Sequence, residues 1–262
     1  MTRCSRTSSN TVASYPSSRA RGEYTSPPMT APRYVLIVNP QSQGGALGRR
    51  WTEVSRQIRR QIGSFEEVRT KGPQDATRLT REALRSGADR VVAIGGDGTI
   101  NEVVNGFFEA GKPINPEAAM GILPFGSGGD FRKTIGVPKD LDQAAHRLAS
   151  GRPKKIDIGR LSFIGNDGEP CERMFANIAS FGISGLVDQY VNESSKRLGG
   201  TLSFMLASAL AGLYYPYRRV RLRCDDGEPF DTILQVCAVA NGRYFGGGVG
   251  VARGAILDDG RG

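Results

Sequence analysis

The chain has 262 residues, enough for one large domain or two ordinary ones, and its 39% hydrophobic content is typical of a folded globular protein. Its four cysteines show no C-x-x-C spacing and His146 is the only histidine, so the sequence favours neither a zinc site nor a disulfide framework, and a cytoplasmic location is expected. The net charge of +9 favours an anionic partner. The basic residues are dispersed along the chain, however, and the sequence contains no recognised nucleic-acid-binding module.

Residues 1–31 are rich in Ser, Thr, Arg and Pro and have no apolar pattern, which predicts a disordered tail. Their composition loosely resembles a transit peptide, whereas the lack of an apolar h-region argues against a signal peptide. A translation start at Met29, just before the first predicted strand, is the simpler explanation of this tail.

From Tyr34 onward, short apolar runs alternate with amphipathic segments. A short apolar run bounded by turn residues predicts a buried parallel strand, and apolar residues spaced by three and four predict a helix. The predicted strands are 35–38, 65–70, 91–94 and 120–123, and the predicted helices are 47–62, 76–85, 100–108 and 140–150. This alternation predicts an α/β domain over residues 32–152, with a parallel sheet that binds ligands at the carboxyl ends of its strands.

The most informative segment is Gly95-Gly96-Asp97-Gly98-Thr99, which joins strand 91–94 to helix 100–108. Its glycines allow the backbone to approach a phosphate closely, and the helix start directs free N–H groups and a positive dipole end towards it. Asp97 then places a carboxylate where a phosphate-bound Mg²⁺ could be held. The alternative interpretation is a tight strand-to-helix turn with an incidental Asp.

Three further loops follow predicted strand ends: Asn39-Pro40, Thr70, and the run from Gly126 to Phe131. Asn39 is interpreted either as a phosphate or ribose ligand or as a cap of its own turn. Because the carboxyl ends of parallel strands share one edge, the four loops are expected to converge there. The standard P-loop and the dinucleotide G-x-G-x-x-G fingerprint are both absent from the sequence.

Residues 153–262 show a different pattern, which predicts a mainly antiparallel β domain. Its predicted strands are 155–163, 174–183, 220–224 and 233–240, and Asp226-Gly227 predicts a hairpin turn. A helical segment at about 184–215 interrupts these strands. Its apolar part, 202–215, is too short for a confident transmembrane helix and is interpreted either as a buried helix or as part of a lipid-facing wall.

These motifs, in this order, resemble the diacylglycerol kinase catalytic family, especially the soluble bacterial lipid kinases related to the sphingosine and ceramide kinases. The segment Gly95–Asn101 is shared with NAD kinases and phosphofructokinases, and the other motifs make the resemblance specific to the lipid kinases. Those motifs are Asn39-Pro40, Gly121-Ile122-Leu123-Pro124 with Gly126–Phe131, Asn177–Gly182 and Asp258-Asp259-Gly260. The resemblance implies an α/β domain like that of NAD kinase, then a β-sandwich-like domain, with ATP in the cleft between them.

The resemblance also implies an activity and its site residues. The reaction is the transfer of the γ-phosphoryl group of ATP to a lipid hydroxyl, most simply that of diacylglycerol to give phosphatidic acid, with Mg²⁺ as the metal. Asp97 is implied as catalytic. The implied ATP ligands are Asn39, Thr70, Gly95, Gly96, Asp97, Gly98, Thr99, Ile100, Asn101 and Ser127, and the implied metal ligands are Ile256, Asp259 and Arg261.

Two departures from the family pattern matter. Ser127 and Gly129 stand where the family usually has Thr and Asn. The family's general base, a Glu in an Asp-Gly-Glu turn, is expected beyond residue 262, so the chain is interpreted as a fragment whose second domain is incomplete. The turn Asp226-Gly227-Glu228 lies elsewhere in the pattern and is assigned no catalytic role.

The partners implied are a membrane lipid as substrate and a transient contact with the membrane surface, without nucleic acid, and a homodimer is left open. Two alternatives share the Gly95–Asn101 loop: an NAD kinase-like enzyme and a non-catalytic nucleotide-binding module. The acceptor of the phosphoryl group separates the two enzymes, and ATP binding without transfer would indicate the module.

Overall fold

The computed structural model describes residues 3–4, 31–126, 128–182 and 217–260. Its first part is a parallel sheet covered by helices on both faces, as the alternating sequence pattern predicts. The elements up to residue 150 are β1 (Arg3–Cys4), β2 (Tyr34–Val38), α1 (Ser42–Ile62), β3 (Glu66–Arg69), α2 (Asp75–Arg85), β4 (Arg90–Gly95), α3 (Asp97–Gly106), β5 (Phe108–Glu109), β6 (Lys112–Pro113), β7 (Ala119–Pro124), α4 (Asp130–Thr134) and α5 (Leu141–Ser150).

The parallel sheet has the strand order β3-β2-β4-β7. The chain runs from β2 outward to β3, then returns to place β4 on the other side of β2, with Tyr34 opposite Arg90 and Val38 opposite Ile94. The carboxyl ends of β2 and β4 therefore form the point at which the strand order reverses, where open α/β sheets bind ligands.

The core lies in two layers because successive strand residues face opposite sides of the sheet. Leu36 and Val38 pack with the buried residues of α1 and α5 on one face. Val35 and Ile37 pack with α2 and α3 on the other. All four strand residues are almost completely buried, which explains why the strand appears in the sequence as a continuous apolar run.

Helix α3 begins three residues earlier than the apolar periodicity predicts and ends two residues earlier. Gly96 is extended and directly precedes the helix, so Asp97 forms its first residue. At the other end the chain turns into the short β5–β6 hairpin, and Phe108 becomes a strand residue. The hairpin and α4 were not predicted, since elements of two and five residues carry no periodic signal.

The second part is built from antiparallel strands, as predicted. Its described elements are β8 (Gly159–Ile164), β9 (Pro170–Phe175), β10 (Ile178–Gly182), β11 (Arg218–Leu222), β12 (Phe230–Leu234), β13 (Val236–Ala240), β14 (Tyr244–Phe245) and β15 (Val249–Gly250). The antiparallel pairs are β8 with β9, β10 with β13, β11 with β12 and β14 with β15, and the predicted Asp226-Gly227 turn joins β11 to β12.

Two of the strands predicted as continuous are each divided in two. The predicted strand 174–183 separates into β9 and β10, and 233–240 separates into β12 and β13. The physical reason is that the two halves of each segment pair with different partners: β12 pairs with β11, whereas β13 pairs with β10. An apolar run cannot reveal such a change of partner.

Some predictions fall wholly or largely outside the described residues. These include the helical segment at 184–215 and most of the tail at 1–31, of which β1 is described and pairs antiparallel with β8. Within the described residues, no helix is both long enough and apolar enough to cross a membrane.

The two parts of the chain are joined at the far end of α3. The Asn105 amide donates to the Met174 carbonyl oxygen at 2.9 Å and accepts the Met174 N–H at 3.0 Å, so it binds both backbone groups of one β9 residue. Met174 and Ala176 are buried in the same core cluster as the apolar face of α3. Helix α3 is thus anchored to the second part by packing and by hydrogen bonds.

We expect Asn105→Ala to lower the free energy of unfolding by about 2 kcal/mol, because it leaves two buried backbone groups of Met174 without partners. Urea denaturation measures this change. Asn115→Ala is the matched control, since its amide only accepts the N–H of Glu117 within an exposed turn. Equal losses in the two variants would contradict a special role for Asn105.

Candidate functional site

Four loops meet at the carboxyl edge of the parallel sheet. The Asn39 N–H donates to the Ile94 carbonyl oxygen at 3.0 Å, and the Thr70 N–H donates to the Val38 carbonyl oxygen at 2.9 Å. The loop that starts at Gly126 follows β7 and lies against the loop that follows β4. The structure therefore brings together the four loops that the strand pattern places at this edge.

The two glycine loops touch through their backbones. A Cβ atom added to Gly126 would lie 2.6 Å from the Gly96 Cα atom, which is closer than real Cβ contacts allow. A Cβ atom on Gly95 would lie 2.4 Å from the Thr99 Oγ1 atom. Glycine is therefore required at both positions before any ligand is considered.

Asn39 uses both ends of its amide to hold these loops. Its Nδ2 donates to the Thr99 Oγ1 atom at 3.0 Å, and its Oδ1 accepts the Gln41 N–H at 3.0 Å. Thr99 is buried, so this contact fixes the first turn of α3 against the end of β2. Of the two interpretations of Asn39, the geometry favours the turn cap.

The Asp97 carboxylate joins the first glycine loop to the second. It accepts backbone N–H groups from Gly129 at 2.8 Å, Asp130 at 3.3 Å and Phe131 at 3.4 Å, all at the start of α4. Gly129 has a left-handed backbone, with φ of 67°, a conformation that glycine and asparagine adopt most readily. The glycine that replaces the family's asparagine at this position therefore keeps the loop geometry.

Asp130 is the buried acidic residue of the site. Its Oδ2 atom accepts the Gly247 N–H at 2.9 Å, which ties α4 to the glycine loop of the second part. Its Oδ1 atom is buried and has no hydrogen-bond partner among the described residues, and the Lys133 Nζ atom lies 3.7 Å away. This buried oxygen therefore has an ion-pair partner but no hydrogen bond within the described residues, a gap that an ordered water could fill.

A cleft of about 510 Å³ opens in front of these loops. Of the predicted ATP ligands, Gly95, Gly96, Asp97 and Ile100 line it. Asn39, Thr70, Gly98, Thr99 and Asn101 do not line it, and Ser127 lies outside the described residues. Gly247 contributes the far wall, so both parts of the chain form the cleft.

Four basic side chains also line the cleft, and the sequence motifs did not single them out as ligands. They are Arg50, Arg132, Lys133 and Lys139. They come from α1, from α4 and from the loop before α5, so only the folded chain brings them together. The carboxylates of Asp97, Asp140 and Asp142 line the same cleft, so its charged groups are of both signs, a combination that suits a polyphosphate together with a metal ion.

The predicted metal ligands lie at the end of the described chain. Ile256 and Asp259 are exposed, and Arg261 lies outside the described residues. The neighbouring Gly260 N–H donates to the Asp157 Oδ2 atom at 2.7 Å, which docks this segment on the second part. No group of three or more His, Cys, Asp or Glu side chains that could hold a metal occurs in the described part of the chain. The proposed ligand set of one carboxylate and two main-chain oxygens stays a prediction.

Comparison with known proteins identifies two domains. Residues 33–161 match the diacylglycerol kinase catalytic domain, and residues 177–261 match the YegS C-terminal NAD kinase β-sandwich-like domain. The α/β fold and the antiparallel second part therefore correspond to two known domain types, in the order that the sequence predicts.

Curated relatives are similar in sequence to this chain. A Chromohalobacter salexigens protein named "Probable lipid kinase YegS-like" is 38% identical over 187 residues, which cover 71% of this chain and 56% of the relative. A protein of the same name from Enterobacter sp. is 32% identical over 237 residues, which cover 88% of this chain and 73% of the relative. The chain thus spans little more than half the length of the first and about three quarters of the second.

Solved structures show the same fold. A structure of a diacylglycerol kinase from Bacillus anthracis strain Sterne is 24% identical, with a TM-score of 0.61, and the match covers 87% of this chain and 72% of that one. Another chain from the same organism is 25% identical, with a TM-score of 0.65 and the same coverage.

We expect Gly126→Ala to lower the free energy of unfolding by about 1–3 kcal/mol, because the new methyl group would overlap the Gly96 backbone. Gly254→Ala is the control, since a Cβ atom there meets nothing within 4 Å and its φ is not positive. Thermal unfolding of both variants measures the difference. An unchanged Gly126→Ala protein would show that the two loops are not in fixed contact.

Proposed function

The chain belongs to the family of YegS-like lipid kinases that carry a diacylglycerol kinase catalytic domain, and we propose that it transfers the γ-phosphoryl group of ATP to a lipid hydroxyl. The observation that carries this proposal is the cleft in front of the Gly95–Thr99 loop, at the switch point of the sheet, which is lined by four basic side chains and by the Asp97 carboxylate. Phosphoryl transfer depends mainly on positioning and on neutralising charge, and this cleft supplies both. Diacylglycerol is the proposed acceptor, with phosphatidic acid as the product.

In this proposal the phosphates of ATP lie against the first turn of α3. The N–H groups of a first helical turn have no partner within the helix, and the positive end of the helix dipole adds to their attraction for an anion. The Gly96 backbone lines the cleft without a side chain, so a phosphate can approach it closely. The basic side chains Arg132, Lys133 and Lys139 lie where they can neutralise the remaining charge.

A kinase of this type implies a divalent metal, and we propose Mg²⁺. The residues present fit it, because the Asp97 carboxylate lines the cleft beside the glycine loop, and Mg²⁺ prefers such hard oxygen ligands. Asp97 also accepts the backbone N–H of Asp130 at 3.3 Å, which fixes its carboxylate against the start of α4. When bound, the metal would neutralise charge on the phosphates.

We also propose a transient contact with an anionic membrane surface, since the acceptor is a lipid. Helix α1 carries five arginines and one glutamate, and all five arginines are exposed. Clustered arginines near an anionic lipid surface contribute roughly 1 kcal/mol each. The proposed cytoplasmic location is compatible with such a contact and needs no membrane-spanning helix.

The test of the activity uses the full-length protein, with the general base expected beyond residue 262, and combines it with labelled ATP, Mg²⁺ and vesicles that contain diacylglycerol. We expect label in the organic phase, and Asp97→Ala should reduce its rate of formation by about 100-fold or more, since the two glycine loops lose their shared carboxylate. Asp226→Ala, in the exposed β11–β12 turn, is the control and should leave the rate unchanged. Undiminished labelling by Asp97→Ala would refute its role, and label in NADP instead of lipid would indicate an NAD kinase.

Gly96→Ala separates ligand binding from folding. A Cβ atom at Gly96 would lie 3.4 Å from the Gly126 Cα atom, an ordinary contact, so we expect the free energy of unfolding to fall by less than about 1 kcal/mol. The methyl group would nevertheless occupy the approach to the cleft, and ATP affinity should fall about tenfold or more, as the loss of a charge-assisted hydrogen bond implies. Calorimetric titration with ATP measures this, with Gly254→Ala as control. Unchanged affinity would place the phosphates elsewhere.

A further inference from the structure

A second cavity, of about 280 Å³, lies at the opposite end of α3 from the glycine loop. It shares no lining residue with the ATP cleft. Its walls come from α2, from the end of α3, from the β5–β6 turn and from β9, so both parts of the chain form it. The residues that matter for its chemistry are Arg81, Asn105, Phe108, Gly111, Arg173 and Met174.

The Arg81 side chain lines this cavity, and no hydrogen bond or ion pair of it is found in the described part of the chain. Its Nε atom is buried and has no hydrogen-bond partner among the described residues. The nearby Glu109 carboxylate is already paired with Arg85 at 2.6 Å. The Arg85 guanidinium, with a smaller contribution from Arg81, holds the pKa of Glu109 below its ordinary value, so this carboxylate is charged and already engaged by Arg85. Buried N–H groups without partners are rare in folded proteins, and each one calls for an explanation.

The second cation of the cavity is Arg173 on β9. It is exposed, and no hydrogen bond or ion pair is found for it within the described part of the chain. The acidic residue next to it, Glu172, lines the same cavity but forms an ion pair with Arg160 across the β8–β9 ladder. After these pairs are formed, two positive charges remain on the cavity wall.

A water molecule in the cavity could accept a hydrogen bond from the guanidinium group of Arg81 or Arg173, but it would bring no charge to pair with either group. An oxyanion in the cavity supplies both the acceptor atoms and the opposite charge. The planar guanidinium fork matches the oxygen spacing of a phosphate, and a charge-assisted pair is about twice as strong as a neutral hydrogen bond. The apolar wall formed by Phe108 and Met174 leaves room for a small organic group beside the anion.

We propose that this cavity is a binding site for a phosphate group, distinct from the ATP cleft, with Arg81 and Arg173 as its ligands. The phosphate group can belong to a small soluble phosphate or to the headgroup of a lipid at the membrane surface. The two sources share the same recognition chemistry, and the experiment distinguishes them.

The probe is inorganic phosphate, titrated into the whole ¹⁵N-labelled protein and followed by NMR. We expect a saturable shift of the Arg81 Nε–H and Gly111 amide signals. Arg81→Met and Arg173→Met should each weaken this response about tenfold or more. Arg78→Met is the matched control on the same helix, because Arg78 is already paired with Asp75 and Glu82, and it should leave the response unchanged.

The same titration reports on the ATP cleft through the Gly95 and Gly96 amides, which both line it, so failure of one site is distinguished from failure of the other. A response confined to those two amides, or one weakened equally by Arg78→Met, would overturn the proposal. Because Arg173 is exposed, we expect Arg173→Met to fold normally, so a weakened response of this variant reports loss of binding and not loss of structure.

Two further probes identify the source of the phosphate group. Glycerol 3-phosphate represents a soluble phosphate monoester, and vesicles with phosphatidic acid are compared with vesicles of neutral lipid. A response of Gly111 to the soluble ester assigns the site to soluble phosphates, and a response to phosphatidic acid vesicles alone assigns it to a lipid headgroup. No response to any phosphate probe would refute the site.

Discussion

At the end of β4, one carboxylate holds together two glycine loops that are 32 residues apart in the chain. Asp97 accepts three backbone N–H groups from the start of α4, and these bonds set the position of that short helix. Asp130 on α4 then accepts the Gly247 N–H from the second part. Two carboxylates, Asp97 in the cleft wall and Asp130 behind it, are therefore each fixed by backbone N–H groups. Such an arrangement costs little reorganisation when a charged ligand enters, which is the property that electrostatic catalysis requires.

These contacts of Asp97 and Asp130 require that helix α3 keeps a fixed position, because Asp97 is its first residue. The helix is held at its start by the Asn39–Thr99 hydrogen bond and near its end by the pair of bonds between Asn105 and Met174. Between them, its apolar face is buried against the sheet and against Met174. The same helix borders both cavities: Asp97 and Ile100 line the cleft, and Asn105 lines the smaller cavity.

The sequence predicted the parts of this protein that depend on local pattern. Continuous apolar runs located β2, β4 and β7, and turn residues located the loops at their ends. The prediction was less successful where the cause lies far away in the chain. The division of 174–183 into two strands depends on which strands they pair with, and the capping role of Asp97 depends on N–H groups 32 to 34 residues later. The sequence likewise does not predict that Arg81 and Arg173, which are far apart in the chain, line the same cavity.

The contact between Gly96 and Gly126 has a genetic consequence. Most steric conflicts in a protein can be relieved by shortening the side chain on the opposite side, which is how compensating second mutations arise. Here the opposing atom is a backbone Cα, and both residues already lack a side chain. A selection for suppressors of a substitution at Gly126 should therefore yield true revertants, or changes that displace a whole loop, but no compensating change at the partner residue.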